Sequence, residues 1–189
     1  MKNIENILKE YKISIEGFKG LSHKMRPLNL KKGDIFIEAG KKNDKIGILL
    51  NGLLIATYIS EKGKEEVSRF YSPEKNFIIS NHESFHYDKV SGETISAFSE
   101  SQIFYMTKND LYSIYKDFPE FEKIARELAE ESYINALNRI HDLQSLSGKE
   151  RVEKFIKENR NLLNIVNKQH IASYLGINRN DFSKYLSKL

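Results

Sequence analysis

The residue types and spacings best suited to chemistry lie in residues 167–189, NKQHIASYLGINRNDFSKYLSKL. Two short helical patterns meet there at Gly176, with the spacing of a helix-turn-helix. Asn167 can cap the first helix, whose apolar positions Ile171, Tyr174 and Leu175 face inward while Ala172 permits a close helix contact. Asn178 can cap the second, which buries Phe182, Tyr185 and Leu186 and turns Arg179, Asn180, Ser183 and Lys184 outward. The chemistry open to that outward set is hydrogen bonding to double-stranded DNA. Arg179 and Lys184 suit guanine edges or phosphates, and Asn180 suits an adenine edge or a water-mediated contact. Asn167 and Gln169 stand at the start of the first helix, where free N–H groups suit a phosphate. The same motif also serves as plain packing in helical domains that never meet DNA. Charge favours the DNA reading: residues 148–189 carry nine Lys or Arg against four Asp or Glu, a balance of +5 within a chain of net charge +4, so the remainder carries −1.

A second constellation, His82, Glu83 and His86 in NHESFH, has the types and helical spacing of metal ligands and would fit a catalytic cupin barrel. Against it, the HxH arrangement expected on a cupin strand is missing, and His23, His141 and His170 fall on predicted helical segments. A surface role is expected for these residues, and no metal or other cofactor. Phe70, Tyr71, Phe77, Phe85 and Tyr87 could line a small-molecule pocket, but a barrel needs an aromatic core and core is the default. No G-x-S-x-G elbow or Walker-type loop is present. The absence of Cys excludes disulfides, thiolate metal sites and a Cys nucleophile.

The elements that must position these residues change in texture along the chain. At 189 residues, 40% hydrophobic and 30% charged, it has the balance of a globular protein of two units. No apolar run approaches a membrane span, and the start MKNIENILKEYK lacks the apolar core of a secretory signal, so a cytoplasmic protein is expected. Ile4, Ile7, Leu8, Ile13, Ile15, Phe18, Leu21 and Met25 suggest one or two short helices before Pro27. From Leu28 short runs with period-two tendencies, such as LNLKKGDIFIEAG, KIGILLNGLLIATYI and QIFYM, alternate with turns at Gly33, Gly40, Gly52 and Gly63. Short strands so punctuated favour a small barrel or jelly roll, because closure protects the edges. After Lys108 a short helix, NDLYSIYKDF, precedes a long one from Pro119 to about Leu146. Its broad stripe of apolar and small residues, interrupted by Glu131 and Asn135, could pair with a twin in a parallel dimer, Asn135 and Asn138 helping to set register. Ser147 and Glu150 form a capping box that opens a further helix, whose Val152, Phe155 and Ile156 join Leu162 and Leu163 in a small core under the helix-turn-helix. The fold class expected is α+β. The units are a sensor barrel with N-terminal helices (1–118), a long dimerisation helix (119–147) and a helix-turn-helix domain (148–189).

That order, with the turns at Leu30, Gly33-Asp34 and Gly40, the run I48-L49-L50-N51-G52-L53-L54, G63-K64-E65 and the closing HIASYLGINRNDFSKYLSKL, resembles the CRP/FNR family of bacterial transcription regulators over nearly the whole chain. The resemblance implies a cyclic-nucleotide-binding-like barrel and a homodimer reading an inverted repeat. RNA polymerase and an unidentified small-molecule effector are the further partners it implies; no membrane partner is expected. The departures bear on the effector. Where nucleotide-binding relatives carry a Gly-Glu pair this chain has Ile78 and Ile79, and where they carry the phosphate-binding Arg it has Gly92, followed by Glu93. Without that guanidinium a buried phosphate loses its bidentate partner, so control by cyclic AMP in the usual mode is not expected. Asn180 stands where relatives commonly carry Glu and Asp181 brings a negative charge near the DNA side, so the recognised sequence should differ from theirs; no β-hairpin wing follows the second helix, which should remove some backbone contacts and weaken binding per subunit. A metal-dependent cupin-like enzyme, or a ligand-sensing barrel without DNA binding, is the alternative.

Overall fold

Alternation of apolar and polar side chains builds the first two-thirds of the chain into short antiparallel strands closed by turns. The computed structural model describes residues 13–188; Ile4, Ile7 and Leu8 of the expected first helix lie outside the described residues. After α1 (Ile15–Lys24) come β1 (Arg26–Leu30), β2 (Ile35–Ile37), β3 (Lys45–Asn51), β4 (Leu54–Ile59), β5 (Glu65–Tyr71) and β6 (Ile78–Ile79). A short helix α2 (His82–Tyr87) precedes β7 (Thr94–Ala97) and β8 (Ser101–Thr107). The strands form two four-stranded sheets of order β1-β8-β3-β6 and β2-β7-β4-β5, all pairs antiparallel. Between the sheets Leu54, Tyr71, Ile79, Ile95 and Ile103 are almost wholly buried and form the barrel core. Gly52 turns β3 into β4 with φ +96°, and a Cβ there would run into the Ser101 side chain and the Glu100 carbonyl. Only glycine meets both demands.

Helices α3 (Lys108–Asp117) and α4 (Glu120–Ser145) follow. Thr107 and Asp110 make a reciprocal capping box at the start of α3, and Asp110 also takes Arg26 at 3.0 Å, so one carboxylate ties β1, β8 and α3 together. Near its start α4 buries Phe121 and Ile124 against Ile114 of α3. Further along, Tyr133 (64% exposed), Ile140 (47%) and Leu143 (37%) face outward. Together with Ala129 and Ala136 they recur at alternating spacings of four and three residues, the interval of a coiled-coil seam.

Four helices close the chain: α5 (Gly148–Glu158), α6 (Leu162–Ile165), α7 (Lys168–Tyr174) and α8 (Arg179–Leu186). The expected capping box of Ser147 and Glu150 opens α5. The small core expected beneath the helix-turn-helix is present, with Ile156, Leu162 and Leu163 packed against it, and it extends into the barrel. Val152, Phe155, Ile171, Ala172, Leu175 and Phe182 share one buried cluster with Leu53, Ile55, Val67 and Phe70 of the barrel, so the C-terminal helices sit on the outer face of the β4–β5 sheet. Among the described residues no helix is long and apolar enough to cross a membrane.

Two consequences can be measured. Gly52→Ala should lower stability by about 3 kcal/mol in urea unfolding, combining backbone strain with overpacking. Burial alone would raise the Asp110 pKa, but hydrogen bonds from Thr107 and the Arg26 guanidinium outweigh it and hold the carboxyl below its ordinary value. A depressed folded pKa stabilises above the unfolded pKa and is lost as pH falls through the folded one. Stability should therefore decline on acidification below the ordinary Asp range, and Asp110→Asn should flatten that part of the pH profile.

Candidate nucleic-acid interface

The helix-turn-helix is defined by three local devices. Asn167 caps α7, its side chain accepting from the His170 N–H at 2.9 Å. Gly176, at φ +65°, ends α7, and Ile177 N–H returns to the Ala172 carbonyl at 3.0 Å, as a left-handed residue after a helix allows. Asn178 then caps α8: its Oδ1 accepts from the Asp181 N–H at 2.8 Å, while its Nδ2 donates to the Asp181 carboxylate at 2.5 Å. Asp181 is thereby engaged in the first turn of α8, where the helix dipole favours a negative charge, and does not lie free on the outward face.

Behind these caps Phe182 is fully buried and Ile171, Ala172 and Leu175 nearly so. Asn178, Arg179, Asn180 and Lys184 are exposed and Ser183 is half-buried. Asn167 and Gln169 are exposed beside them, although the Asn167 side-chain oxygen is already taken by the cap. The first helix is fixed from behind. Ser173 Oγ accepts from the Val67 N–H of edge strand β5 at 2.8 Å and donates to Glu66 at 2.6 Å. Tyr174 packs on Phe70 and Phe155, and Arg139 of α4 lies over its ring at 4.5 Å while donating to its carbonyl at 2.8 Å.

In the barrel, a cavity of about 360 Å³ is lined by Tyr58, Arg69, Ser80, Asn81, His82, Glu83, Gly92 and Glu93. Gly92 and Glu93 of the expected effector pocket are there. Ile78 and Ile79 are not, and that expectation is corrected: they pair with Ile48 and Gly47 of β3, and Ile79 is buried in the core. Their neighbours Ser80 and Asn81 line the cavity in their place, and the buried Ser80 hydroxyl has no hydrogen-bond partner among the described residues. Arg69, which the sequence pattern did not single out, brings a guanidinium to the cavity and donates to Tyr71 Oη at 3.1 Å. Burial pushes the Tyr71 pKa up to about 12 against the pull of Arg69. Loss of solvent, then the charges of Arg69 and His86, hold His82 below its ordinary value. His82 and His86 stack at 5.9 Å on α2, and Glu83 pairs with Lys89 at 3.3 Å. Among the described residues no three His, Cys, Asp or Glu side chains gather as a metal site. Tyr71, Phe85 and Phe70 are buried, whereas Tyr87 is 74% exposed and lies outside any core.

No protein-family model matches the sequence, and no curated protein matches it. Solved structures do. FixK2 of Bradyrhizobium japonicum aligns at TM-score 0.74 and 13% identity, over 87% of this chain and 84% of that one. The c-di-GMP-responsive global regulator CLP of Xanthomonas campestris aligns at 0.75 and 9%, over 93% and 91%. A protein from Eubacterium rectale described as a transcriptional regulator of the CRP/FNR family aligns at 0.72 and 18%, over 96% and 85%. The chain has the fold of the CRP/FNR regulators.

Within that CRP/FNR fold, sequence reasoning found the caps, the turn and the outward face of α8 but missed what anchors them. Ser173 and Tyr174 sit on a helix whose apolar spacing says only that one side is inward. A signal was available in the uninterrupted run LLIA at 53–56, since alternation is lost when a strand is covered on both faces. Asn178→Ala should cost about 1 kcal/mol, the usual worth of an N-cap, read from the shift of the urea midpoint.

Proposed function

We propose that the chain is a DNA-binding transcription regulator, in which residues 1–118 sense, 119–147 dimerise and 148–189 read DNA. The observation that carries this reading is the capped helix α8 presenting Arg179, Asn180 and Lys184 to solvent while Phe182 anchors it from behind. The likeness to CRP/FNR folds and the local charge of +5 support it. Arg179 and Lys184 are assigned to guanine or phosphate, Asn180 to an adenine edge, Ser183 and Asn178 to the flanking backbone, and Asn167 and Gln169 to phosphate.

The seam of Ala129, Tyr133, Ala136, Ile140 and Leu143 on α4 supports a homodimer with parallel long helices. Two α8 helices held by such a pair read an inverted repeat about one DNA turn apart. The barrel cavity around Gly92, Glu93, Arg69 and Ser80 is the effector site in this reading. Its ligand is not cyclic AMP bound in the usual mode, because Gly92 supplies no guanidinium and Glu93 adds a carboxylate beside it.

Selection from a genomic fragment library, repeated at several salt concentrations, tests the DNA reading. Enrichment of one inverted repeat with affinity falling as salt rises is expected; uniform recovery and no salt dependence would sink it. Arg179→Ala should flatten discrimination at one base position by about 1–3 kcal/mol without unfolding the protein, and equal loss on every sequence would count against a base contact. Light scattering should give twice the chain mass of 22.0 kDa, and Ile140→Glu should return it to the single value by placing charge in the seam. Saturating cyclic AMP should leave the thermal midpoint unmoved, since only a ligand that binds the folded state raises it.

A further inference from the structure

A cleft of about 460 Å³, within the range of small-molecule sites, opens where β5 and the turn after it, the second half of α4 and helix α5 converge. Seven charged side chains line it, and their pairing is uneven. Lys154 Nζ takes both oxygens of Asp142, at 2.8 and 2.6 Å, and Lys75 Nζ lies 3.8 Å from Glu158. Those pairs occupy both carboxylates of the lining. Arg69, Arg139 and Arg151 have no carboxylate partner among the described residues. Each donates instead to a neutral oxygen: Arg69 to Tyr71 Oη at 3.1 Å, Arg139 to the Tyr174 carbonyl at 2.8 Å, and Arg151 to the carbonyls of Leu143 and Leu146 at 3.1 and 3.0 Å. The Nε atoms of Arg139 and Arg151 are buried with no hydrogen-bond partner.

Three arginines thus line one recess with no carboxylate salt-bridged to them among the described residues, although Arg69 also lines the barrel cavity with Glu83 and Glu93. Where part of the water is excluded, like charges repel more strongly than in bulk. A bound anion relieves that repulsion. Guanidinium forks match phosphate oxygens with paired donors, and a monoanion would answer only part of the charge. The volume also exceeds that of a bare anion, and the carboxamide of Asn76 offers a neutral partner to the remainder of a ligand. We propose that this cleft binds a small molecule bearing a diphosphate group, held by Arg69, Arg139 and Arg151. The three arginines belong respectively to the barrel, the long helix and the reading unit, so an occupied cleft ties the three together. The barrel cavity shares Arg69 with this cleft and otherwise has its own lining, and this inference does not depend on DNA binding.

Calorimetric titration of the full chain with inorganic pyrophosphate, against potassium chloride at matched ionic strength, tests it. One site per chain is expected. Arg69→Gln and Arg139→Lys should each weaken binding about tenfold or more, the worth of a charge-assisted hydrogen bond. If Arg139→Lys fails to fold, by circular dichroism, Arg151→Gln carries the comparison, because Arg151 lines this cleft and not the barrel cavity. Lys62→Gln removes an equal charge from the exposed turn between β4 and β5 and should leave binding unchanged. Absence of binding, an equal loss in Lys62→Gln, tighter binding of citrate than of pyrophosphate, or competitive displacement of pyrophosphate by duplex DNA would each overturn the assignment.

Discussion

Tyr174 is the contact on which the arrangement of the molecule depends. Its ring meets Phe70 of the barrel at 5.1 Å and Phe155 of α5 at 5.9 Å, and the Arg139 guanidinium of α4 covers it at 4.5 Å. Aromatic pairs and a desolvated cation over a ring are each worth about 1 kcal/mol beyond the area they bury. More important than the sum is the geometry. One side chain touches the barrel, the long helix and the C-terminal helical unit, so none can turn relative to the others without breaking a contact that the other two share.

Size explains why the C-terminal helical unit needs that contact. A unit of about 40 residues cannot bury enough apolar surface to stand alone without disulfides, metal or a neighbour. Here no cysteine exists, and the neighbour is the outer face of the β4–β5 sheet, with Leu53, Ile55, Val67 and Phe70 completing the core around Phe182. The exposed edge of β5 is managed by the same docking. The Val67 N–H, which would otherwise face solvent at a sheet edge, is taken by Ser173, whose own proton goes to Glu66. A helix-turn-helix hung on a sheet edge in this way keeps its outward face free, because the anchoring groups lie on α7 and on the buried side of α8, at Phe182, and not on the exposed side of α8.

This division also decides what could be read from the sequence. Caps and turns are local: Asn167, Gly176, Asn178 and the Ser147–Glu150 box act on backbone within four residues, and each sits where its type predicts. The barrel was legible as a class, since alternation and glycine turns report strands, but sheet order was not. The anchoring of Ser173 and Tyr174 joins residues about a hundred positions apart, and nothing in helical periodicity names the partner. The cavity failed for a related reason. Alignment by motif put Ile78 and Ile79 in it, whereas the two-residue pairing of β6 with β3 turns Ile79 into the core and leaves Ser80 and Asn81 to line the opening. A one-residue change of phase exchanges inside for outside along a strand.

The same phase effect gives β5 its double role. Between Ala56 and Thr57 the β4–β5 register shifts: Ala56 faces Arg69 and Thr57 faces Val67, so Ser68 is the extra residue of a bulge. In regular alternation Val67 and Phe70 would lie on opposite faces. The bulge brings both to the outer face, where they join the core of the C-terminal helices, and leaves Arg69 and Tyr71 on the inner one. Arg69 lines both the barrel cavity and the cleft beside α4, one residue from Phe70, which holds Tyr174. The bulge thus sets the residue that lines both openings beside the one that holds Tyr174 and α7 to the barrel.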